Sequence, residues 1–547
     1  MKLSTFNLYF HTIKYLKLSQ IYWRFKYRFF KSRPSKIREV ATNKWLCSWN
    51  APMWSAKLWD GENSFFFLGE KGILRSQNNW VVERKSVLWN YNLHYLDCLN
   101  VLGKYNFFEE KKLVKNWIES NKDTDNKSWD AYCLSLRIVN LIKWCSRNNF
   151  YSNYVCLSIA HQADVLMTKL EYHILGNHLL TNGKALIFAG VFLRGKIADK
   201  FLEKGLKIID QEINEQFLAD GAHFELSPMY HQILMWDICD LVHLSEISNI
   251  KKLKVRSAFW RSVLLNAQNW RAAMTHPDGD VAFFNDSSLG IAPPSIIMDE
   301  FLNKLGIRVP LPETGLYNLT ASGFFSVSQT DGHKLLINAC EISPSYQPGH
   351  SHADSLSFEL SIWSKRFFVN SGTSIYGVSN LRNWQRGTSA HNTLNLGLQD
   401  SSQVWGGFRV AKRARIIKRK FYESSHEIVV EAAHDGYHQQ SMGGIHYRKW
   451  ISTQNSLTVI DEIVCEENNQ IAHFFLHPDV LVSVKETSRI LLCLDKKEIS
   501  FKVSSGKLEV VSSKWYPKFG VAIKSNCIKV SGFSGSLISS VNWLNNV

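Results

Sequence analysis

No two of the ten cysteines, scattered from Cys47 to Cys527, stand in a Cys-x-x-Cys pair. That spacing excludes a zinc ribbon and a thioredoxin-type redox motif. A chain of 547 residues has apolar surface enough for large cores and needs no disulfides, so buried free thiols and a reducing compartment are the expectation. No run approaches the roughly 20 apolar residues of a membrane-spanning helix. No glycine-rich phosphate loop is present, which removes nucleotide chemistry of that kind. There is no low-complexity segment and no fixed-period repeat, against a TPR- or HEAT-like array. Acidic residues are in deficit: 48 Asp+Glu stand against 64 Lys+Arg, a formal net charge of +16. Such a field favours polyanionic partners, whether nucleic acid, anionic lipid or acidic glycan, without choosing among them.

What the chain has is a globular balance, 45% hydrophobic and 20% charged, over a length that suggests two to four domains. Aromatics are heavy, with 19 Trp, 19 Tyr and 32 Phe. They can fill large cores, or line a cleft whose flat faces suit the C–H faces of sugar rings. The N-terminal stretch does not read as a signal peptide, because Lys14, Lys17, Arg24, Lys26 and Arg28 interrupt any apolar core and no small-residue cleavage site follows. A cytoplasmic chain, or one peripheral at the membrane, is the corresponding expectation. Through residue 40 there are ten Lys/Arg and one acid, Glu39. This basic, aromatic stretch is either a helical arm (1–84) packed on the body or an amphipathic segment lying on an anionic membrane.

From about 85 to 305 apolar residues recur at three- and four-residue spacing, as in AYCLSLRIVNLIKWCSRN, SIAHQADVLMTKLEYHIL and GKIADKFLEKGLKIIDQEINEQFL. Prolines are few there, with Pro228 and Pro277 in expected loops. Helical hairpins in series form an α-solenoid or a closed α/α toroid. After Val309–Gly315 the texture becomes short β-rich segments separated by turns: GFFSVSQ, HKLLINACE, SLSFELSIW, RFFVNSG, EIVVEAAHD, SLTVIDEIV and RILLCLD. The expectation is an α+β multidomain chain, with a helical domain over 85–312 and an antiparallel β-sandwich over 313–547.

Five clusters carry chemistry. In GNHLLTNGKALIFAG, Asn177 and His178 stand at a helix entrance, where donors and the helix dipole favour an incoming anion; an ordinary cap with a structural histidine fits as well. In DGAHFELSPMYHQ, Glu225, Tyr230 and His231 surround Pro228, so Tyr230 opens a helix and can act as a general acid or base. THPDGDVAFFNDSS places Asn285 and Asp286 in a loop able to hydrogen-bond sugar hydroxyls, while its acidic spacing does not match a calcium loop. In PGHSHADSLSFEL, His350, His352 and Asp354 share one face if the segment is a strand, as metal ligands or as a supported catalytic base. RFFVNSGTSIYG ends on Tyr376, and RNWQRGTSAHNTLNL carries Arg382, Arg386, His391 and Asn392, arginines suited to carboxylate or sulfate.

Taken together and in this order, NHLLTNGKAL, HFELSPMYH, PDGDVAFFNDS, HSHADSLSFEL, SGTSIYG and SAHNTL resemble the heparinase II/III family of polysaccharide lyases and its alginate-lyase relatives, over roughly residues 85 to 420. The resemblance implies an N-terminal (α/α) toroid joined to antiparallel β-sheets, with an acidic-glycan cleft between them. It implies that Asn177 and His178 neutralise a uronate carboxylate, that Tyr230 and His350 are catalytic, and that Tyr376 is a second tyrosine of the site. Glu225, Asn285, Asp286, Arg382 and Arg386 are then candidate substrate contacts. It further implies a structural zinc held by His352, His391 and a residue between them. At that third position the family usually has Asp and this chain has Asn370, a poor zinc ligand because no anion offsets the dication.

The implied chemistry suits these residue types. β-Elimination removes the C5 proton of a uronide and protonates the departing O4. That proton is weakly acidic until the carboxylate is neutralised by donors such as Asn177 and His178. Tyr230 or His350 takes the proton and Tyr230 protonates the leaving oxygen. A uronyl C5-epimerase shares the first step and reprotonates carbon. A glycoside hydrolase needs paired carboxylates, for which Glu225 and Asp286 are the candidates. A non-catalytic glycan-binding protein on the same fold is the remaining reading. No redox cofactor, nucleotide or nucleic acid is called for.

Overall fold

The computed structural model describes every residue except 1–2, 31–32, 36, 44, 57, 77–78, 102, 309–313, 441–442, 464–468 and 544–547. Two helices open the chain, α1 (Leu3–Ile13) and α2 (Leu18–Phe29). The expected helical arm through residue 84 ends there. Residues 58–73 instead form a small antiparallel sheet from Leu58–Trp59, Ser64–Phe67 and Glu70–Ile73. The reason is local. SFFF is a strand-favouring run, and Leu68 and Gly69 both take positive φ, 53° and 76°, the geometry of a tight hairpin turn. Trp59, Phe65 and Phe67 of this sheet, with Trp49 and Trp80 on either side of it, are buried in the helical core, so it belongs to the helical body.

Further α-helices follow among the described residues: α3 (Val87–Tyr95), α4 (Phe107–Ser120), α5 (Ala131–Arg147), α6 (Asn153–Thr168), α7 (Gly176–Phe192), α8 (Lys196–Gln216), α9 (Pro228–Ile247), α10 (Lys251–Met274) and α11 (Ser295–Lys304). Three of these starts, α3, α4 and α9, are capped by a short polar side chain. Asn106 forms a capping box with Glu109 at α4, and the Ser227 hydroxyl accepts from Tyr230 N–H at α9. Along α8 the buried residues Ala198, Phe201, Leu202, Leu206, Ile209 and Ile213 follow helical spacing, with Lys and Glu outward. α7 is buried almost throughout. It packs closely on α8 because glycines face each other: a Cβ on Gly205 would stand 2.7 Å from the Gly183 carbonyl oxygen. The run expected to stay helical through Leu175 stops at Thr168. Residues 169–175 form the turn that delivers α7.

The expected boundary near 312 lies outside the described residues, between α11 and the strand Gly315–Leu319. Beyond it the chain is almost all antiparallel β. Gly315–Leu319, Phe324–Ser328, Lys334–Asn338, Phe358–Ile362 and Lys365–Phe368 pair in sequence order in a five-stranded sheet, followed among the described residues by sheets of eight, four and two strands. His446–Thr453 alternates buried and more exposed residues, as a half-covered strand must. Between Lys365–Phe368 and the later sheets lies α12 (Asn380–Arg386). An apolar seam joins the two regions: Leu226, Trp270 and Phe284 from the helical side pack on Phe324, Leu336 and Cys340 from the five-stranded sheet. The functional clusters lie along this junction. Among the described residues the cysteines are free thiols, all but Cys47 and Cys493 buried.

Candidate active site

Asn177 and His178 occupy the first turn of α7. Leu175 and Gly176 precede them at φ 71° and 60°, and a Cβ on Gly176 would collide with the Gln347 and Glu225 side chains. That sharp entry turns the two side chains in different directions. Asn177 is buried and faces Glu225: its backbone N–H donates to Oε1 at 3.1 Å, and its Nδ2 donates to both carboxylate oxygens at 2.8 and 3.0 Å. His178 stays partly open. Its Nδ1 donates to Glu171 Oε1 at 2.9 Å, and the Tyr132 ring lies 4.6 Å away, centroid to centroid. Burial works to lower the His178 pKa, but the Glu171 carboxylate more than offsets it and the value is raised above 6.5. At this helix N-terminus Glu171 thus favours the protonated form of His178.

Tyr230 stands in the first turn of α9, where Pro228 at the first helical position and the Ser227 cap fix the direction of entry. Its phenol oxygen lies 3.2 Å from that of Tyr376, and its ring is 4.0 Å from the His350 imidazole. Burial holds both phenols well above their ordinary pKa, so both are protonated at neutral pH. His350 Nδ1 lies 2.9 Å from Asp286 Oδ2. A carboxylate only accepts, so Nδ1 carries a proton, while Nε2 lies 3.8 Å from Glu225 Oε2.

Asp286 ties these parts together. Besides His350 it receives His352 Nε2 at 2.8 Å, the Thr373 hydroxyl at 3.4 Å, and both terminal nitrogens of Arg382, Nη2 at 2.7 Å. Its backbone carbonyl accepts from the Ser227 hydroxyl at 2.6 Å. Burial would raise its pKa, but Arg382 and the two histidines hold it well below the usual carboxylate range. Asp286 thus joins the His350–His352 loop and α12 through its carboxylate and the α9 cap through its backbone carbonyl.

A cavity of about 220 Å³ opens beside Tyr230 and Tyr376, walled by Trp54, Tyr132, Trp236 and Phe519. At its floor Lys143 donates to Asp240 and Lys184 bridges Asp237 and Asp240, so these lysines are neutralised. His178 stands next to this wall, its ring 4.6 Å from that of Tyr132.

Several expected contacts are repositioned. Glu225, Asn285, Asp286, Arg382 and Arg386 are all at least 94% buried and committed to protein partners. Arg382 is spent on Asp286 and the Gly407 carbonyl, Arg386 on the Ser351 carbonyl, and Asn285 on Leu226 and His352. The two carboxylates a hydrolase would use, Glu225 and Asp286, are among them. The segment His350–Asp354 is a loop rather than a strand, since the strand begins at Phe358. Its histidines converge because both bind Asp286, while Asp354 turns to the Asn285 backbone. Tyr376 also lies in a loop beyond Lys365–Phe368, and remains at the cavity. Glu171, Tyr132 and the half-exposed Phe408, whose ring is 5.3 Å from that of Tyr376, belong to the site and carry no motif of their own. Only the short interval between Glu171 and His178 hinted at a pair.

The implied metal set meets a partial fit. His352 Nε2 donates to Asp286, and His391 Nδ1 donates to the Gly387 carbonyl at 2.8 Å. Their other nitrogens face each other at 3.1 Å as two lone pairs, an arrangement that a proton or a metal cation would relieve. Asn370 does not complete it. Its Oδ1 accepts from Asn392 N–H at 3.0 Å, and its Nδ2 has no hydrogen-bond partner. Among the described residues no group of three or more His, Cys, Asp or Glu is placed to hold a metal.

Comparison with known proteins gives consistent matches. Residues 107–296 match the family model described as Heparinase II/III N-terminus, and residues 309–543 match Heparinase II/III-like, C-terminal. A heparin-sulfate lyase of Pedobacter heparinus is 28% identical over 267 residues, 44% of this chain and 39% of that protein. One of Bacteroides thetaiotaomicron is 27% identical over 346 residues, 54% and 48%. The chain thus spans less than half the length of these curated relatives. Among solved structures, heparinase III superimposes with a TM-score of 0.68 at 19% identity, over 86% of this chain and 80% of that one. The Streptomyces coelicolor chondroitin AC lyase bound to chondroitin sulphate gives 0.51 at 9% identity, over 83% and 74%. At these identities the superpositions show the fold: a helical toroid followed by antiparallel sheets.

Proposed function

The chain belongs to the heparinase II/III-like family, and from that premise we propose that it is a polysaccharide lyase cleaving a uronate-containing acidic glycan by β-elimination. The observation that carries the reading is the meeting of a protonated phenol, Tyr230, with a carboxylate-oriented imidazole, His350, beside an aromatic cavity. The relatives named heparin-sulfate lyases support the substrate class.

The residues divide the work. His178, cationic through Glu171, neutralises the uronate carboxylate and stabilises the enolate-like charge that develops when C5 loses its proton. Asn177 would reach the same carboxylate only by exchanging Glu225, so His178 carries the larger share. His350 Nε2 takes the C5 proton, and the electron pair left on C5 forms the C4=C5 double bond. The C4–O4 bond breaks, and O4 takes the Tyr230 proton. Tyr376, hydrogen-bonded to Tyr230, returns a proton to the phenolate from solvent, and the His350 imidazolium releases its own. No water is consumed and one unsaturated uronate end forms for each bond cut.

For zinc, His352 and His391 would supply two nitrogen ligands, and the ion would fix the loop that presents His350. With Asn370 in place of a carboxylate the site lacks an anionic third ligand. No step is routed through the metal.

The test is a panel of carboxylated and sulfated glycans incubated with the purified chain, following near-UV absorbance of the conjugated product and the appearance of new reducing ends. Both should rise together on at least one uronate polymer. New reducing ends without the absorbance would mean hydrolysis and would overturn the proposal.

A further inference from the structure

The function above does not use the N-terminal helices, and their placement is unusual. Each is held by one face. α1 docks on the β-region: the Tyr9 ring meets Trp405 at 4.9 Å and Trp405 Nε1 donates to the Thr12 hydroxyl at 3.1 Å, while just past the helix the Arg413 guanidinium covers Tyr15 at 3.7 Å. α2 docks on the helical body: Trp23 stacks on Tyr172 at 4.8 Å, the Tyr27 hydroxyl donates to the Leu170 carbonyl, and Gln20 reaches the Ile174 carbonyl at 3.3 Å. The arm bridges the two regions by its polar and aromatic inner face.

The opposite face is apolar and open. On α1, Phe6, Phe10 and Ile13 follow the four- and three-residue spacing of one helical stripe. On α2, Leu18, Tyr22, Phe25 and Phe29 do the same. Exposure runs from 50% at Ile13 to 84% at Leu18. Scattered exposed apolar residues need no explanation, but a register-matched stripe on two successive helices does. Charge frames it. At 3.6 residues per turn, Lys26 and Arg28 lie roughly 70–90° to either side of the α2 stripe, and no acidic residue occurs before Glu39. Aromatic side chains in the middle with cations at the flanks is the pattern of a helix lying in the interface of an anionic bilayer. Among the described residues no helix is long and apolar enough to cross a membrane, so the contact would be peripheral.

We propose that the outer faces of α1 and α2 dock the protein on an anionic lipid surface. Aromatic insertion supplies hydrophobic burial, and Lys14, Lys26, Arg28 and Arg33 supply attraction to headgroups. This goes beyond the lyase reading and stands or falls independently of it. The experiment is co-sedimentation of the full chain with vesicles of phosphatidylcholine alone or of equimolar phosphatidylcholine and phosphatidylglycerol. It is run with the wild type, with Phe6→Ser/Phe10→Ser/Phe25→Ser/Phe29→Ser, and with Arg28→Glu/Arg33→Glu. These side chains are exposed, so both variants should keep the wild-type melting temperature. The wild type should partition onto the anionic vesicles at least about tenfold better than onto the neutral ones, with a preference that weakens as salt screens it. The aromatic variant should lose about tenfold or more and the charge variant should lose the anionic preference. Equal partitioning on both vesicles, or an aromatic variant that binds like the wild type, would overturn the proposal. So would light scattering that shows a wild-type dimer made monomeric by the aromatic variant, since the stripe would then be a contact between copies of this chain.

Discussion

Asp286→Asn tests how far one carboxylate organises this site. Asp286 and Arg382 are both fully buried and joined by two charge-assisted hydrogen bonds. The amide keeps the shape but turns one acceptor into a donor, which must face Arg382 or the Nδ1–H of His350. Leaving a buried guanidinium without its counter-charge costs about 3–5 kcal/mol. At roughly 2–4 °C per kcal/mol for a region of this size, the β-region should melt about 6–20 °C lower. The rate should fall separately. With an amide donor at Nδ1, His350 moves its proton to Nε2 and ceases to be a base, a loss on the order of 10²–10⁴ in kcat. The double variant Asp286→Asn/Arg382→Met separates the two effects. Removing the stranded cation should restore several degrees of the melt while turnover stays lost. Thermal melts by near-UV circular dichroism and initial rates on the substrate from the glycan panel read both. An Asp286→Asn protein with wild-type melt and wild-type kcat would refute the reasoning.

Further expectations follow from the same geometry. Tyr230→Phe removes only the hydroxyl contact to Tyr376, so it should melt like the wild type while kcat falls about 10²–10⁴-fold; a rate near wild type would take Tyr230 out of the mechanism. His350→Ala should lose rate with little change in melting temperature, whereas His352→Ala, which breaks a buried bond to Asp286, should lower the melt of the β-region; one shared phenotype would mean the pair is misassigned. The raised pKa of His178 means that its cation, and the stability from its Glu171 pair, are fully present below pH 6.5 and are lost as pH rises through the raised value. KM for a uronate substrate should therefore climb on the alkaline side, and in Glu171→Gln the climb should start at lower pH; an unchanged KM profile in that variant would exclude the pair. Asn370→Asp should raise both zinc content by elemental analysis and thermal stability, because binding energy appears as folding energy; stoichiometric zinc in the wild type surviving mild chelation would refute the weak third ligand, and none in either protein would remove the metal site.

The helical half was legible because α5 and α8 present apolar residues at regular helical spacing, and the β half because strands such as Ser456–Ile463 are bounded by turns. Tyr230 and His350, singled out through SPMYH and HSHAD, are brought together by the fold with their rings 4.0 Å apart. What the linear pattern misread was direction. Arg382 and Arg386 have the composition of anion-binding residues, yet α12 points them inward, and only tertiary packing decides that. The alternation His350–His352–Asp354 imitates a strand, while the histidines meet through a carboxylate more than 60 residues earlier, at Asp286. Glu171 escaped notice because a lone acid in a turn has no signature until α7 brings His178 to it. The small sheet at residues 58–73 was hidden beneath the basic texture of the N-terminal segment that precedes it.

The most direct test of the central claim is product analysis in D2O. One uronate polymer from the panel is incubated to partial conversion with the wild-type chain and examined by NMR. The account predicts shortened chains ending in an unsaturated uronate with a C4=C5 double bond, and no deuterium at C5 of uncut residues. Deuterium at C5 in polymer of unchanged length, with no unsaturated ends, would contradict it and assign the same histidine and tyrosine to epimerisation.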